Sequence, residues 1–331
     1  MLRVPIRLIG ALGHRLAPMK AVVTPGDGSL TIEEREAPTP GPGEVLVAVK
    51  AAGLNGADRL QRAGFYPAPP GAPADIPGLE LAGEVAGLGE GVTEFAEGDR
   101  VMAIVAGGGQ AEFCTVHASH LLAVPDNVDW AQAGGFAETF TTAYDAIVSQ
   151  AGIKAGESLL VTGGAGGVGT AAIQIAKAMG AEAVASVRNE GLRDQVAALG
   201  ATVVAPGEEK EAGPFDVVLE LVGAPNIPDN LSMLNTDGRI VVIGVGAGAK
   251  TEVNLLLVMA KRAKLMGSTL RARSVEEKAC VAAGVRNDLL PLLASGELTV
   301  PVEATFSLDD ADAGYTRFEA GAKLGKIVLT V

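Results

Sequence analysis

The segment Leu159–Gly169, with the sequence LLVTGGAGGVG, constrains the fold of this chain more than any other part. An apolar strand pattern runs into a glycine turn, and the helix-forming sequence TAAIQIAKAM follows directly. Gly164, Gly166 and Gly169 form a G-x-G-x-x-G pattern, which allows a tight turn, close approach of a pyrophosphate and close packing of helix on strand. Unpaired N–H groups at the start of the helix favour an anion. The segment therefore predicts a dinucleotide-binding βαβ unit.

A chance match is the alternative, because glycine accounts for 44 of the 331 residues. The flanking sequence favours the dinucleotide site. The helix is expected to end at Gly180, which can adopt the left-handed cap conformation, and a second apolar strand, Ala183–Val187, follows at βαβ spacing. Further strands are predicted at Thr202–Ala205, Asp216–Leu221, Arg239–Val245 and Leu265–Leu270. Six strands with helical crossovers predict a doubly wound parallel sheet, the Rossmann nucleotide-binding fold.

The first part of the chain shows a different pattern, in which glycine and proline separate short strands. These strands are predicted at Lys20–Thr24, Leu30–Arg35, Glu44–Ala52, Leu81–Leu88, Arg100–Ile104 and Ala111–Val116. The spacing predicts a compact domain resembling a β-barrel. The proline-rich loop Tyr66–Pro73 is long for such a domain, and we expect it to be functional.

Helical sequence over Trp130–Gly152 is expected to join the two parts. A helix at Val275–Leu293 leads to the last strand, Lys326–Thr330, which we expect to return to the first domain. The predicted organisation is an N-terminal extension (1–18), a β-barrel domain (19–141 with 273–331) and a nucleotide-binding domain (142–272). We interpret the extension as a variable tail, with a targeting or docking arm as the alternative.

Composition limits the partners of the chain. A net charge of −13 disfavours nucleic acid or an anionic membrane as the main partner. No apolar run approaches the roughly 20 residues that a membrane span needs. Two cysteines, Cys114 and Cys280, do not suggest a disulfide framework, so a cytoplasmic location is expected.

The residues after the second strand indicate which dinucleotide binds. An acid about 20 residues past the glycines commonly holds the ribose of NAD, whereas a cation there accommodates the 2′-phosphate of NADP. Arg188 lies in Ser186–Asn189, and no acid precedes Glu190. A planar guanidinium matches a phosphate well. The sequence therefore predicts NADPH as the coenzyme, with a solvated surface arginine as the alternative.

Two groups of segments resemble a known family. The first is Gly156–Lys177, which carries Gly156, Glu157, Leu160, the glycine turn, Gln174 and Lys177 in the order of the quinone oxidoreductase signature. The second comprises Leu54–Tyr66, Pro69–Ala72, Gly78–Glu80 and Leu324–Leu329. On these motifs residues 19–331 resemble the zinc-free NADPH:quinone oxidoreductases of the zeta-crystallin kind, and the p53-inducible members in particular, within the medium-chain dehydrogenase/reductase superfamily. The resemblance implies an α/β fold with a GroES-like β-barrel catalytic domain and a Rossmann domain, and a homodimer paired along the edge of the nucleotide sheet.

Zinc-dependent members of that superfamily hold their catalytic metal with a cysteine, a histidine and a second cysteine. The resemblance places Asn55, Leu79 and Glu138 at these positions, which leaves one potential ligand of three. A second candidate, Cys114-x-x-His117-x-x-His120, lies on a strand and its turn, where two-residue alternation separates the side chains. We therefore expect no metal.

The resemblance also assigns the site residues. Asn55 and Tyr66 are expected to be catalytic, as hydrogen-bond donors to the quinone oxygen, with a turn asparagine and a packing tyrosine as the alternatives. Thr142 matches a threonine that packs against the nicotinamide, with a helix N-cap as the alternative. The residues expected to bind the coenzyme are Thr142, Gly164, Ala165, Gly166, Gly167, Val168, Gly169, Ser186, Arg188, Arg193, Val222, Gly244, Val245, Leu270 and Lys326.

One departure from the family concerns the 2′-phosphate. Several members use a lysine after the second nucleotide strand and a tyrosine after the third, where this chain has Leu192 and Ala205. The resemblance therefore implies that Arg188, alone or with Arg193, holds this group.

The expected activity is hydride transfer from NADPH to a quinone without zinc. Hydride addition gives a delocalised hydroquinone anion, so the coenzyme performs the difficult step and the protein supplies orientation. The nearest alternative is an NADPH-dependent reductase of enones, alkenals or enoyl thioesters, and the second is a nucleotide-binding protein without turnover. The expected partners are a small-molecule quinone or conjugated carbonyl and a second copy of the chain.

Overall fold

The computed structural model describes residues 18–331. The predicted extension therefore lies outside the described residues, except for Pro18, which begins the first strand. Among the described residues, no helix has both the length and the apolar character needed to cross a membrane.

The first region is a mostly antiparallel β structure. Its elements are β1 (Pro18–Val23), β2 (Thr31–Glu36), β3 (Glu44–Gly53), α1 (Gly56–Arg62), β4 (Glu80–Leu88), β5 (Arg100–Ile104), β6 (Phe113–His117) and β7 (Leu122–Ala123). β1 pairs with β2, while β3 pairs with both β4 and β6, and β4 pairs with β5. The six predicted strands are confirmed with small shifts of their ends.

Buried helices connect this region to the next. They are α2 (Trp130–Gly134), α3 (Ala137–Tyr144) and a π-helical segment (Asp145–Gln150) that continues α3. The predicted helical character of this stretch is confirmed. One continuous helix does not form, because α2 ends at Gly135 before α3 begins.

The nucleotide region alternates strands and helices. Its elements are β8 (Ser158–Thr162), α4 (Gly167–Ala178), β9 (Glu182–Ser186), α5 (Arg193–Ala198), β10 (Ala201–Val204), α6 (Glu209–Ala212), β11 (Phe215–Glu220), α7 (Ile227–Met233), β12 (Leu234–Val242), α8 (Leu255–Lys261) and β13 (Lys264–Gly267). The six strands are parallel in the order β10-β9-β8-β11-β12-β13, which confirms the predicted doubly wound sheet. Because the order reverses between β8 and β11, a crevice opens at their carboxyl ends.

Two predicted strands extend too far. β12 ends at Val242 and β13 at Gly267, so Gly244, Val245 and Leu270 lie in the following loops. Gly180, by contrast, has the left-handed backbone predicted for the end of α4, with φ of 76°.

The chain then returns to the first sheet through α9 (Val275–Asp288), α10 (Leu290–Ser295), β14 (Val302–Ser307), α11 (Ala311–Glu319) and β15 (Lys326–Thr330). β15 pairs antiparallel with β3 and parallel with β14. The sequence did not reveal β14, whose alternate residues are only partly buried. The pairing of β15 brings the C-terminal segment beside the nucleotide region.

The largest apolar cluster spans both regions. Phe136 and Phe140 stack with ring centroids 4.4 Å apart and belong to the same cluster as Leu159 of β8 and Ala171 of α4. α3 therefore packs directly against the nucleotide-binding unit. This contact fixes the position of side chains on α3 relative to the glycine turn.

Candidate coenzyme and substrate site

The glycine turn between β8 and α4 has the geometry that a pyrophosphate requires. A methyl group built on Gly164 would meet Cβ of Ala185 at 2.8 Å, and one on Gly169 would meet the carbonyl oxygen of Gly163 at 2.7 Å. Both glycines are therefore required by internal packing. A methyl group on Gly166 would have one described neighbour within 4 Å, the same carbonyl at 3.5 Å. Its outer side is thus open for the approach of a phosphate.

The helix α4 begins beside this opening. Its N-cap is Gly166 in an extended conformation, and no side chain of the described residues caps the first turn. The N–H groups at the start of this 12-residue helix carry the positive end of its dipole. The turn and the helix together can hold an anion such as the pyrophosphate of a dinucleotide.

A cleft of about 470 Å³ lies over the turn, at the carboxyl edge of the parallel sheet. Predicted coenzyme residues that line it are Ala165, Gly166, Ser186, Arg188 and Val222. The sequence did not identify two other lining residues, Asn226 and Lys323. We call this space the coenzyme cleft.

Arg188 lies at the end of the cleft formed by the loop after β9. Its side chain is exposed and makes no hydrogen bond or ion pair within residues 18–331. Arg193 instead donates from Nε to the carbonyl of Val187 at 3.2 Å and does not line the cleft. Of the two arginines expected to hold a 2′-phosphate, Arg188 is therefore the one with a free guanidinium in the cleft.

Other predicted coenzyme residues do not line this cleft. A methyl group on Gly244 would lie 2.1 Å from the carbonyl oxygen of Leu221, so close backbone packing already accounts for this glycine. Val245 is half-exposed in its loop. Leu270 is buried in the largest apolar cluster and does not line the cleft, so its expected contact with the coenzyme stays a prediction.

Lys326 is directed at protein partners and does not line the cleft. Its ammonium donates to the carbonyl of Leu54 at 2.8 Å and to Oδ1 of Asn55 at 2.7 Å, and it forms an ion pair with Oε1 of Glu80 at 2.6 Å. The side chain is 3% exposed, and at least two of its three ammonium hydrogens are used by the protein. The expected contact of Lys326 with the coenzyme stays a prediction.

Glu80 is the centre of this arrangement. One carboxylate oxygen accepts from Nδ2 of Asn55 at 3.0 Å, and the other accepts from the backbone N–H of Glu138 at 2.8 Å. Asn55 also donates from Nδ2 to the carbonyl of Gly53 at 3.2 Å. Both amide hydrogens of Asn55 are donated to protein groups, and its expected role as a donor to the substrate stays a prediction. We call Asn55, Glu80 and Lys326 the buried network.

A zinc ion does not fit the positions of Asn55, Leu79 and Glu138. The Lys326 ammonium is 2.7 Å from the only oxygen of the Asn55 side chain, so this oxygen already binds a positive charge of the protein. The side chain of Leu79 has no atom that can coordinate a metal. Within residues 18–331, no group of three or more histidine, cysteine, aspartate or glutamate side chains is arranged to hold a metal.

The helix α3 brings two polar side chains beside the buried network. Thr142 lies in the second turn of α3, so it is not a helix N-cap, and its hydroxyl is 3.5 Å from Oε1 of Glu138. Burial, followed by repulsion from Glu80, raises the pKa of Glu138 to about 8. A carboxyl group with this pKa carries a proton at neutral pH. Glu138 is therefore a candidate proton donor, a role that sequence reasoning missed because a pKa depends on tertiary neighbours.

Tyr66 lies at the start of the proline-rich loop. The guanidinium of Arg271 stacks on its ring at 5.0 Å from the centroid and donates to its backbone carbonyl at 3.0 Å. Arg271 also donates to Gln61 Oε1 at 2.6 Å and to the carbonyl of Ala106 at 2.8 Å, which fixes the loop. Burial raises the pKa of Tyr66, and its hydroxyl has no partner within the described residues. The phenol is therefore a protonated and available hydrogen-bond donor.

Glu220 is a further residue that the sequence did not reveal. It is fully buried at the end of β11, where its Oε1 accepts from the backbone N–H groups of Val222 at 2.6 Å and Gly223 at 2.7 Å. Its other oxygen accepts from Asn230 at 2.6 Å. This carboxylate positions the loop that carries Val222 along the coenzyme cleft. An acid that ends an apolar strand was the signal available in the sequence.

Comparisons with known proteins follow the same division of the chain. The family profile of the alcohol dehydrogenase GroES-like domain matches residues 41–152, and that of zinc-binding dehydrogenase matches residues 167–283. Human quinone oxidoreductase is 33% identical over 251 residues, which cover 72% of this chain and 75% of the human protein. The chain belongs to the medium-chain dehydrogenase/reductase superfamily.

This medium-chain dehydrogenase/reductase is similar to proteins that differ in activity. Acryloyl-coenzyme A reductase of Metallosphaera sedula is 30% identical over 347 residues, which cover 94% of this chain and all of that protein. An alcohol dehydrogenase superfamily protein from Novosphingobium aromaticivorans superposes with a TM-score of 0.84 at 29% identity, over 95% of this chain and 100% of that one. The chain is thus an oxidoreductase of a superfamily that uses nicotinamide dinucleotides, and its relatives act on small molecules.

Proposed function

We propose that this protein is an NADPH-dependent quinone oxidoreductase that works without zinc. The observation that carries the proposal is the buried network, in which the Lys326 ammonium binds Asn55, one of the three positions that the resemblance matches to the zinc ligands of zinc-dependent relatives. Reduction of an isolated carbonyl needs a Lewis acid or a positioned proton donor to stabilise alkoxide charge. A quinone needs less assistance, because the hydroquinone anion that forms is delocalised.

NADPH, when bound, supplies the hydride. The open side of Gly166 and the start of α4 would hold the pyrophosphate, while Arg188 would hold the 2′-phosphate. Thr142 on α3 would pack against the nicotinamide. The hydroxyl of Tyr66 donates a hydrogen bond to the quinone oxygen on which charge develops. Glu138 holds a proton beside the site, and water is the other proton source.

The proposal includes a domain division and an assembly. The catalytic domain comprises residues 19–141 and 273–331, and the coenzyme domain comprises 142–272. A homodimer would pair through β13, the edge strand of the six-stranded sheet. This edge is bordered by exposed apolar side chains, and such a patch beside an open sheet edge favours association with a second copy. These side chains are Leu255, Leu256, Met259 and Leu265.

A cytoplasmic location is also part of the proposal. Both cysteines of the chain, Cys114 and Cys280, are free thiols. Unpaired thiols are typical of a reducing compartment.

A second candidate function is the reduction of an enone, alkenal or enoyl thioester by NADPH. It is favoured by the similarity to acryloyl-coenzyme A reductase, which extends over 94% of this chain. Both reactions deliver hydride to a conjugated acceptor, so they require the same coenzyme cleft.

A steady-state panel with NADPH tests the proposal. Benzoquinones and naphthoquinones are expected to give higher kcat/KM values than alkenals and enoyl-CoA esters, and a chelator should leave these rates unchanged. Higher kcat/KM with enoyl-CoA esters would favour the second candidate. One zinc per chain, lost together with activity on chelation, would contradict the zinc-free mechanism.

A further inference from the structure

The segment immediately before β15 is attached to the glycine turn. The backbone N–H of Gly325 donates to the carbonyl of Ala165 at 2.8 Å, and Gly325 forms a parallel bridge with Gly166. Ala322 and Lys323 of the same segment line the coenzyme cleft. The C-terminal segment thus places a lysine beside the turn where a pyrophosphate would lie.

The ammonium of Lys323 is largely uncommitted. It donates to the carbonyl of Gly325 at 3.1 Å and lies 4.5 Å from the ring centroid of Phe318. No carboxylate pairs with it among residues 18–331, because Glu303 on β14 pairs with Arg317 of α11 at 2.6 Å. Ammonium hydrogens therefore remain for a ligand. Lys326, three residues later, instead donates to Leu54 and Asn55 and pairs with Glu80.

We propose that Lys323 binds the pyrophosphate of the dinucleotide and takes up a proton from solvent when the coenzyme binds. The proposal rests on the proposed function only in requiring that the cleft binds a nicotinamide dinucleotide. It assigns different phosphates to different cations. Lys323 serves the pyrophosphate, which NADH and NADPH share, whereas Arg188 serves the 2′-phosphate, which only NADPH carries.

The coupling to a proton follows from the surroundings of the lysine. Burial, and then the positive charges of Lys326 and Arg317, lower the pKa of Lys323 to about 8, while Glu303 opposes this effect. These three groups face it from β15, α11 and β14. The other charged side chains that line the cleft are Arg188, Glu209 and Asp229. The negative charge of a pyrophosphate would favour the ammonium form and raise this pKa.

The charge of Lys323 determines how the Kd of the coenzyme depends on pH. Below about pH 7 Lys323 is already charged, so the Kd of the coenzyme should change little with pH. Above about pH 8 the free protein has lost this proton and must regain it on binding. The Kd should therefore rise with pH, approaching about ten-fold per pH unit for one linked proton.

Titration calorimetry with NADPH and with NADH tests the proposal. At pH 9, experiments in buffers of different ionisation enthalpy should report uptake of nearly one proton per site, and at pH 7 much less. Lys323→Met should weaken binding of both coenzymes at pH 7 by the same factor, about ten-fold or more, and should remove the proton uptake. Lys323→Arg should retain binding but lose its pH dependence, since arginine stays charged.

Two control variants isolate the lysine. Lys250→Met removes an exposed lysine that does not line the cleft and should leave both Kd values unchanged. Glu138→Gln removes a second group of the described residues whose pKa is about 8, and proton uptake should persist in this variant. Thermal unfolding of each variant checks that the fold is intact.

The contrary outcomes are distinct. Unchanged Kd values and unchanged proton uptake in Lys323→Met would overturn the inference. Weaker binding of NADPH alone would also overturn it, because Lys323 would then serve the 2′-phosphate. Wild-type protein that binds neither coenzyme would contradict the proposed function itself, which the inference requires.

Discussion

The coenzyme cleft and the buried network share the C-terminal segment, which contributes Lys323 to the first and Lys326 to the second. They differ in whether their polar side chains have protein partners. In the cleft, the Arg188 guanidinium and most of the Lys323 ammonium lack protein partners within the described residues. In the buried network, Asn55, Glu80 and Lys326 satisfy one another. Buried polar groups that are fully paired stabilise a fold, whereas unpaired ones at a cleft are available to a ligand.

This comparison separates residues that a family resemblance groups together. Lys326 and Asn55 both belong to segments expected to form the site, but their hydrogen bonds are directed at each other. Variants of Lys326 and Asn55 should mainly change the free energy of unfolding. Variants of Arg188 and Tyr66 should mainly change the binding of coenzyme and substrate. The following predictions test this distinction.

The largest expected effect is the loss of the buried cation. Lys326→Met would leave the fully buried Glu80 carboxylate without its ion pair, which should lower the free energy of unfolding by about 3 to 5 kcal/mol. Urea unfolding measures this change. Lys20→Met, which removes the exposed pair with Asp309, is the matched control and should have little effect. Equal stability of Lys326→Met and wild type would show that the network is not structural.

The next effect concerns coenzyme preference. Arg188→Asp should lower the ratio of kcat/KM for NADPH over NADH by about 10- to 100-fold, because a charge-assisted hydrogen bond to the 2′-phosphate is lost. Arg193→Ala should keep the ratio, since Arg193 does not line the cleft and its Nε donates to the carbonyl of Val187. If Arg193→Ala changed the ratio and Arg188→Asp did not, Arg193 and not Arg188 would be the residue that binds the 2′-phosphate.

Tyr66 should have a smaller effect, confined to the substrate. Tyr66→Phe should lower kcat/KM for a quinone by about 5- to 30-fold, the loss of one hydrogen-bond donor, with the Kd of NADPH unchanged. Asn55→Ala is the contrast, because it should also lower the free energy of unfolding by removing partners of Glu80 and Lys326. Complete loss of reduction in Tyr66→Phe would identify an essential general acid and favour an isolated carbonyl as the substrate.

The smallest expected effect is at Glu138. With a pKa of about 8, its carboxyl group is neutral at pH 7 and becomes negative as the pH rises through 8. A negative charge beside the developing hydroquinone anion opposes the reaction. The wild-type kcat/KM for a quinone should therefore fall a few-fold above about pH 8. Glu138→Gln should show no such decrease, with little change at pH 7. Parallel pH profiles for the two proteins would place the titrating group elsewhere.

Much of the fold could be predicted because its signals are local. The glycine turn and the six nucleotide strands depend on residues adjacent in the sequence, and the structure confirms them. The predicted ends of β12 and β13 were wrong, because the loops at Gly244 and Leu270 continue the apolar pattern but pack by close backbone approach and core burial. β14 was not predicted, since its short strand is only half-buried.

The sequence by itself determined the dinucleotide turn and the family, because each depends on a short contiguous motif, and it places Arg188 directly after the second nucleotide strand. The tertiary structure decided that this guanidinium has no partner within the described residues. Only the tertiary structure decided between Lys323 and Lys326. These lysines are three residues apart; Lys326 lies in the segment Leu324–Leu329 that resembles the family, and Lys323 immediately precedes it. The partners of Lys326 are distant in the chain: Asn55 has a sequence number lower by 271. Lys323 lies at the cleft because the N–H of Gly325 donates to the carbonyl of Ala165. The partner of a charged side chain is set by such long-range contacts, which no local pattern encodes.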